Sequence, residues 1–424
     1  MSKLTKLLNH PILFFEDAIK KKIKKVEPKK VEPKKPIPKK AEPKKPIPKK
    51  AEPKKAEPKK AEYQFNAFLS YTHLLHTGEN VTGLSHLDLW IPVFQKANVN
   101  FVVLIRNYEL FNIIKEKYPN LTIVYAQGVN DIKFYLDKMV FLKATFHPSN
   151  TGRNLHILMY NNLTHIFIGH GDSDKTASAH KYFRVYDENW VAGEAHIDRF
   201  RNERLDFRGL KQVKVGRPNL KETLLISQTP WQNRFSGNLN LLYLSTWEGV
   251  YEEQNYTSVY FMDNFFEEIS KKDIFNLINI KLHPWVGKRD KKLLSTNQKL
   301  ENILSNGNTA YKLYDKTTPV EELIKQSNIF ICDISAVISE SLAANAPIFV
   351  YIPKDKNIKL TKSKMSYEDY CYTFSDLEEL NQKIEEVIIN NNDYLKEKRE
   401  KAMEYILGKN ETLNDDFIKK LKEI

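Results

Sequence analysis

Two histidines of this sequence stand where apolar segments end, and both could act on protons or phosphates. His170 lies between Gly169 and Gly171 directly after the segment THIFIG, and Lys175 follows five residues later. Flanking glycines let the backbone approach a ligand closely, imidazole accepts a proton near neutral pH, and a lysine neutralises phosphate. A general base with a phosphate-binding neighbour would be useful at this position. A histidine that is only hydrogen-bonded within the fold is the alternative.

His283 occupies a similar position later in the chain. It ends the segment INIKLH and is followed by Pro284. Because proline forces the preceding residue into an extended backbone, we expect His283 to be held at the end of its strand. The position suits a histidine that acts on a ligand, and it equally suits one that only caps the strand.

A third segment, NIFICDIS, is followed by a helical pattern and a further apolar run. Asp333 or Ser335 could cap that helix, and its free amides and positive dipole end could then hold a pyrophosphate. Capping without a ligand is the alternative, since every strand–helix unit of this kind contains something similar.

The net charge of +13 is concentrated in one extension. Residues 20–60 hold 19 Lys and 5 Glu, a net of +14, and residues 1–19 sum to zero, so the rest of the chain carries −1. A basic globular face for nucleic acid is therefore not expected.

The two cysteines, Cys332 and Cys371, are too few for a disulfide-stapled secreted fold, which fits a reducing cytoplasm. No His/Cys cluster has metal-ligand spacing, so we predict no metal site and no required cofactor.

The amino-terminal extension divides into two parts. Residues 1–25 predict a short amphipathic basic helix that lies on an anionic membrane surface, or else packs on the globular body or a partner protein. Residues 26–61 contain seven five-residue units ending in Pro-Lys-Lys, which predict a disordered, extended linker; a linker without any partner is the alternative. No run of 18 apolar residues occurs, so we expect a protein of the cytoplasm that is peripheral on the inner face of the cell membrane.

From residue 62 onward, short apolar runs alternate with amphipathic stretches, the pattern of α/β units with a parallel sheet. The predicted strands are 65–70, 101–106, 121–126, 139–146, 164–170, 240–245, 278–283, 328–333 and 347–351. Gly and Pro residues near 216–237 divide them into two series. We therefore predict two doubly wound Rossmann-like domains facing a cleft, an acceptor domain over 62–230 and a nucleotide-donor domain with terminal helices over 231–424.

Taken in order, these segments resemble the CDP-glycerol glycerophosphotransferase family of teichoic-acid and capsule polymerases. The resemblance covers about residues 140–355 and rests on five short motifs: His170-Gly171 with Lys175, then Gly216-Arg217-Pro218-Asn219, then Leu242-Tyr243-Leu244-Ser245-Thr246-Trp247-Glu248, then His283-Pro284, and then Asp333-Ile334-Ser335 with Glu340.

The resemblance implies a GT-B fold and a set of site residues. His170 is the implied base on the acceptor hydroxyl, and His283 is the second catalytic histidine. The implied donor and phosphate group comprises Lys175, Thr246, Ser335, Asp333 and Glu340. This sequence departs from the family pattern at Ala336, where a serine is usual, and at Asp172 and Asp174 beside the first histidine. Two carboxylates there suit the acceptor side, or ion pairs with Lys175 and Arg184.

The function implied is transfer of a polyol phosphate, such as glycerol phosphate, from CDP-glycerol or another nucleotide-activated donor to a glycan or lipid-linked hydroxyl. A glycosyltransferase of capsule or lipooligosaccharide synthesis, using a CMP-, UDP- or GDP-sugar, is the first alternative, because a fold alone does not separate the two chemistries. A non-catalytic scaffold of capsule assembly is the second.

Overall fold

The computed structural model describes residues 70–204, 207–354, 356–408 and 415–424. The first of two sheets has seven strands in the order β3-β2-β1-β4-β5-β6-β7, and every neighbouring pair is parallel. Its strands are β1 His73–Thr77, β2 Phe101–Ile105, β3 Ile123–Tyr125, β4 Ala144–His147, β5 Thr164–Phe167, β6 Glu188–Val191 and β7 Lys211–Lys214.

Helices connect these strands and cover both faces of the sheet. They are α1 Leu84–Ala97, α2 Tyr108–Lys117, α3 Val129–Leu136, α4 Leu155–Leu158, α5 Glu194–Asn202 and α6 Lys221–Ile226. Local sequence explains several boundaries: Asn107 caps α2 by accepting the backbone N–H of Leu110, and α1 ends at Asn98 in the left-handed conformation. We call this sheet and its helices the N-lobe.

The second sheet has six parallel strands in the order β10-β9-β8-β11-β12-β13. Its strands are β8 Asn240–Leu244, β9 Leu277–Lys281, β10 Ala310–Leu313, β11 Ile329–Asp333, β12 Ile348–Tyr351 and β13 Tyr372–Phe374. The helices that follow them are α7 Val259–Ile269, α8 Thr296–Ser305, α9 Val320–Lys325, α10 Val337–Leu342, α11 Tyr367–Tyr370, α12 Leu377–Ile384 and α13 Lys396–Leu407. We call this part the C-lobe.

The last helix, α14 Asp415–Glu423, packs on the N-lobe although the sequence assigned it to the second domain. Phe417 is fully buried, and its ring stacks on Trp90 of α1 at 4.8 Å and meets Trp190 of β6 at 5.1 Å. The chain thus returns to the first sheet at its end. Residues 63–424 form one compact unit.

The predicted α/β architecture with two parallel sheets is confirmed, and most predicted buried strands occur close to their predicted positions. The strand predicted over 139–146 begins only at Ala144, and the first strand lies at His73–Thr77; residues 65–69 lie outside the described part. Sequence reasoning also missed β6, β7, β10 and β13. Strands such as β7 KQVK and β10 AYKL are short and polar because they lie at sheet edges, so they lack an apolar run.

The predicted amphipathic helix over 1–25 and the Lys-Pro linker over 26–61 lie outside the described residues. Within the described residues, no helix is long and apolar enough to cross a membrane.

Candidate active site

The loop after β5 contacts the C-lobe at the carboxyl end of the first sheet. This loop, residues 168–175, passes from the N-lobe to the C-lobe. Ser339 of α10 donates a hydrogen bond to the Asp172 carbonyl at 2.9 Å, and Lys175 pairs with Leu360 in an isolated antiparallel bridge. We call this contact region the junction.

His170 is held in this loop by its neighbours. Gly169 adopts a φ of +63°, a left-handed conformation that suits glycine, and its carbonyl accepts the Trp90 indole N–H at 2.6 Å. Gly171 has no room for a side chain, because a Cβ placed there would lie 2.5 Å from Cβ of Ala336. The two glycines therefore allow the turn and the close approach of the lobes, whereas the close approach to a ligand that the sequence suggested stays a prediction.

The His170 ring is fixed in one tautomer. Its Nδ1 lies 2.8 Å from the Pro148 carbonyl oxygen, which only accepts, so Nδ1 must carry the proton. Nε2 then holds the free lone pair. Although His170 remains accessible to solvent, crowding by protein atoms and then the nearby His86 lower the pKa of His170 below its usual value of 6.5. A neutral ring with a free Nε2 lone pair is the form that a general base requires.

His283 is fixed in the opposite tautomer. Its Nδ1 accepts the backbone N–H of Trp285 at 3.1 Å, so in the neutral ring the proton is on Nε2. The backbone N–H of His283 in turn donates to Oγ of Ser245 at 3.0 Å. Burial, followed by the charges of Lys175 and Lys281, lowers the pKa of His283 to about 4. At neutral pH this histidine is therefore a hydrogen-bond donor through Nε2.

Lys175 crosses the junction. Its Nζ donates to Oγ1 of Thr246 at 3.1 Å and lies 5.3 Å from the ring centre of Tyr256, both in the C-lobe. Burial lowers its pKa to about 8, with a smaller opposing effect of Asp333. The structure thus brings Lys175, Thr246 and His283 together at the junction, and their role towards donor phosphates stays a prediction.

Asp333 supports this group from beneath. Its carboxylate is completely buried and accepts four hydrogen bonds, from the backbone N–H groups of Thr246 and Ser258 and from the hydroxyls of Thr257 and Ser258, over 2.6–3.1 Å. With both oxygens occupied, Asp333 positions the Thr246 loop, and it does not cap α10.

The expected helix cap at Ser335 is also wrong. The residue before α10 is Ala336, whose side chain makes no capping hydrogen bond, and the Ser335 hydroxyl donates to the Asp333 carbonyl at 3.2 Å. A place for Ser335 at the donor phosphate therefore stays a prediction.

Asp172 and Asp174 are bound to a residue that sequence reasoning missed. Both are buried, and the Arg199 guanidinium of α5 reaches Asp172 at 2.5 Å through Nη1 and Asp174 at 2.7 Å through Nε. The expected ion pairs with Lys175 and Arg184 are replaced by this one. Charge-assisted bonds of this kind are strong, so the two carboxylates secure the shape of the loop. An acceptor-side role for them remains a prediction.

Glu340 lies on α10 beside the junction. Its Oε1 is 3.8 Å from the position of a Cβ at Gly171. Burial and the nearby Glu321 raise the pKa of Glu340, while Arg217 opposes this rise. Arg217 itself is buried and donates to the Ile168 carbonyl at 3.3 Å, which places the predicted Gly-Arg-Pro-Asn motif behind the His170 loop.

A cavity of about 880 Å³ opens at the carboxyl edge of the C-lobe sheet. It is lined by aromatic and charged side chains, including Tyr260, Tyr351, Arg289, Lys356 and Asp376. Asn255 also lines it, and the next residue, Tyr256, faces Lys175. In the described part of the chain, no group of three or more His, Cys, Asp or Glu side chains is arranged to hold a metal ion.

No family model and no curated protein matches this sequence. Solved structures do match. The wall teichoic acid polymerase TagF superposes with a TM-score of 0.53 at 14% identity, covering 85% of this chain and 91% of that one. UDP-GlcNAc 2-epimerase from Neisseria meningitidis, bound to UDP-GlcNAc, gives 0.52 at 11% identity over 84% and 100%. HepE from Anabaena, in complex with UDP, gives 0.51 at 10% identity over 84% and 100%.

This chain has the GT-B fold. The predicted fold class is therefore confirmed, and the resemblance to the glycerophosphotransferases is matched by the superposition on TagF. Because the identities are low, the likeness shows the fold of the chain, and the chemistry must be argued from its own residues.

Three residues at the GT-B junction escaped the sequence reading: Glu79, His86 and Trp90. They lie between β1 and the middle of α1, next to His170. The signal that could have found them is β1 itself. A strand placed at His73–Thr77 would have made Glu79 a residue at a strand's carboxyl end, where ligands of open α/β sheets bind.

Proposed function

We propose that this protein transfers a polyol phosphate, such as glycerol phosphate, from a CDP-activated donor to a hydroxyl of a cell-surface glycan or lipid-linked acceptor, in the synthesis of a capsule or teichoic-type polymer. The observation that carries the proposal is the pair of opposite histidine tautomers, His170 with a free Nε2 lone pair and His283 with an Nε2–H. A phosphoryl transfer needs one group that accepts a proton from the nucleophile and others that neutralise phosphate charge.

The reaction follows from these roles. His170 Nε2 takes the proton of the acceptor hydroxyl as its oxygen bonds to the phosphorus of the polyol phosphate. The bond from that phosphorus to the bridging oxygen breaks, CMP leaves with the electron pair, and His170 later returns its proton to solvent. Positioning and charge neutralisation supply most of the rate in such transfers, so no metal or cofactor is required by this scheme.

The donor phosphates would lie against the C-lobe side of the junction. His283, Lys175 and Thr246 converge there, and Lys175 is the cation among them. The neighbouring cavity of about 880 Å³ is within the range of small-ligand sites, and its tyrosines and charged groups suit a nucleoside. Ser335, two residues before α10, and Glu340, within α10, would complete the phosphate side, with Asp333 beneath them as a support.

The comparisons support this proposal at the level of fold and ligand class. One of the similar solved structures is a TagF variant soaked with CDPG, and another is HepE with UDP. In both structures a ligand that contains a nucleotide is bound to a fold similar to that of this chain.

A panel of nucleotide donors tests the proposal. Purified full-length protein is incubated with CDP-glycerol, other CDP-polyols and CMP-, UDP- and GDP-sugars, and release of each nucleotide is measured with and without membrane extract as the acceptor source. We expect acceptor-dependent CMP release from a CDP-polyol. If a nucleotide is released only from a nucleotide sugar and not from any CDP-polyol, the first alternative, a glycosyltransferase, replaces the proposal.

That alternative is a nucleotide-sugar glycosyltransferase. A specific observation favours it: the epimerase with UDP-GlcNAc and HepE with UDP and glucose superpose almost as well as TagF, with TM-scores of 0.52 and 0.51 against 0.53. A non-catalytic scaffold would release no nucleotide from any donor, and CDP would then not raise the melting temperature of the protein.

We also propose that residues 1–60 attach the enzyme to the inner face of the cell membrane. Each lysine near an anionic leaflet contributes about 1 kcal/mol, so a fraction of the 19 lysines in 20–60 suffices. Since residues 63–424 form one compact unit, deletion of 1–60 should leave an active enzyme that no longer sediments with anionic vesicles at low salt. If the truncated protein still sediments, the membrane contact lies elsewhere.

A further inference from the structure

Helix α1 contacts the His170 loop at two points one turn apart. His86 and Trp90 are four residues apart, so their side chains share one face of the helix. Trp90 binds the carbonyl of Gly169, and the His86 ring stacks on the His170 ring with centroids 3.6 Å apart and planes 16° apart. The helix thus holds both the backbone before His170 and one face of its imidazole.

Glu79 fixes the orientation of His86. Its Oε2 lies 2.8 Å from Nδ1 of His86, and the two side chains are only 14% and 19% exposed. Glu79 is itself placed by Thr77, whose hydroxyl accepts the backbone N–H of Glu79 at 3.2 Å and donates to its carboxylate at 3.3 Å. A carboxylate, an imidazole and the His170 ring therefore form a continuous layer at the carboxyl end of β1.

Building on the proposed function, we propose that Glu79 and His86 are a positioning pair for His170. His86 supports the face of the His170 ring, so that Nε2 points to the acceptor, and the Glu79 carboxylate offsets the positive charge that the ring acquires when it takes the acceptor's proton. The arrangement differs from a catalytic triad, because Nδ1 of His170 donates to the Pro148 backbone carbonyl and not to a carboxylate.

The charged groups around His170 act on its basicity in opposite directions. His86 and Arg217 disfavour a proton on His170, whereas Glu79 favours it. Loss of Glu79 charge should therefore weaken His170 as a base, and loss of His86 should strengthen it. A purely structural pair would behave differently, since loosening the ring in either variant would return His170 towards its usual basicity in water.

Two variants separate these outcomes. Glu79→Gln keeps an oxygen that accepts from His86 but removes the charge, and His86→Phe keeps a stacked ring but removes the proton-binding nitrogens. Asp88→Asn is the matched control, because Asp88 lies on the same helix and pairs with Lys117 at 2.8 Å and Tyr118 at 2.9 Å. The titration of His170 is followed by NMR of full-length protein with labelled histidine, with His170→Gln used to assign its signal.

We expect the His170 midpoint to rise by about one pH unit in His86→Phe, to fall in Glu79→Gln and to stay unchanged in Asp88→Asn. In transfer assays, Glu79→Gln should lower kcat about tenfold with little change in the donor KM. Midpoints that rise in both variants, or that change in neither, would overturn the inference. The NMR measurement needs no substrate. If no donor in the panel is active, the proposed function fails, and the changes in the His170 midpoint still test whether Glu79 and His86 act on His170.

Discussion

The loops after β5 and β9 each place a histidine at the end of a parallel strand, and they differ in which ring nitrogen they occupy. In the N-lobe loop a backbone carbonyl, that of Pro148, takes Nδ1–H of His170. In the C-lobe loop a backbone N–H, that of Trp285, donates to Nδ1 of His283. A histidine after the end of a strand is thereby left with an acceptor nitrogen in one case and a donor nitrogen in the other. Whether Nε2 of a histidine donates or accepts depends on the partner of its Nδ1, and the position of the histidine along the strand does not determine that partner.

The two loops are also held by different forces. Asp172 and Asp174 of the N-lobe loop are bound to Arg199 in a buried ion network. The C-lobe loops are held by carboxylates that accept neutral donors, Asp333 as described and Glu248, which accepts the backbone N–H groups of Gly287 and Asp290 at 2.9–3.2 Å. The two carboxylates of the N-lobe loop therefore depend on one cation, Arg199, whereas each carboxylate of the C-lobe loops is held by several neutral hydrogen bonds.

The largest effect is expected from Arg199→Ala. It leaves two carboxylates buried without their cation, and breaking a buried pair in this way typically costs about 3–5 kcal/mol. Urea denaturation should show that loss in the free energy of unfolding. Arg201→Ala is the control on the same helix, because the Arg201 side chain is 62% exposed and pairs with Glu194 and Asp198; its cost should stay under about 1 kcal/mol. Equal losses in the two variants would contradict a special role for the ion network.

The next effect concerns turnover. His170→Ala should lower kcat by roughly 100-fold or more and leave donor affinity nearly intact, because a general base acts on the acceptor hydroxyl. His170→Gln should be equally poor, since an amide has no basic nitrogen. Because the pKa of His170 is lowered, wild-type kcat should fall only as the pH drops below about 6.5, and that acid limb should be absent from the variants. Near-normal turnover of His170→Ala with its true acceptor would remove the base assignment.

His283 should respond differently to the same substitutions. His283→Ala removes a charge-assisted hydrogen bond and should weaken donor binding roughly 10- to 100-fold, with a loss of kcat as well. His283→Gln should recover part of the donor affinity, because its amide N–H can replace Nε2–H. Isothermal titration with CDP-glycerol measures both variants. The two histidine defects should not add fully in the double variant if both act on one transition state. If His170→Gln kept its activity and His283→Gln did not, the roles of base and phosphate donor would have to be exchanged between the two histidines.

The smallest effect is a pH dependence of donor binding. Burial lowers the pKa of Lys175 to about 8, so its positive charge is present below that pH and is lost as the pH rises through it. Donor affinity should fall about tenfold between pH 7 and pH 9. In Lys175→Arg, whose guanidinium stays charged, the fall should be absent. A wild-type affinity that does not change over this range would place the donor phosphates away from Lys175.

Much of the fold follows from the sequence because buried parallel strands are continuous apolar runs. FVVLI, NLLYL and IFICD are recognisable without a structure, and the glycines around His170 and the proline after His283 mark the ends of such strands. The polar edge strands β7 and β10 escaped, since water on one side permits polar residues such as those of KQVK. The return of α14 to the N-lobe also escaped, because a helix pattern shows which face is apolar and not which core will cover it.

The sequence by itself pointed to four residues of the junction, His170, Lys175, Thr246 and His283, and left out Glu79, His86 and Trp90, which only the tertiary structure brings there. Only the tertiary structure decided what each does there. The sequence suggested Asp172, Asp174 and Asp333 as ligand-binding residues. In the structure, Arg199 binds the first two carboxylates and hydrogen-bond donors surround the third, so all three hold the loops in place. The two histidines acquired opposite tautomers from single backbone partners. The physical reason is that the apolar or polar character of neighbouring residues indicates which segments are buried and where the chain turns. The protonation state of a side chain and its hydrogen-bond partner depend on atoms from distant parts of the chain.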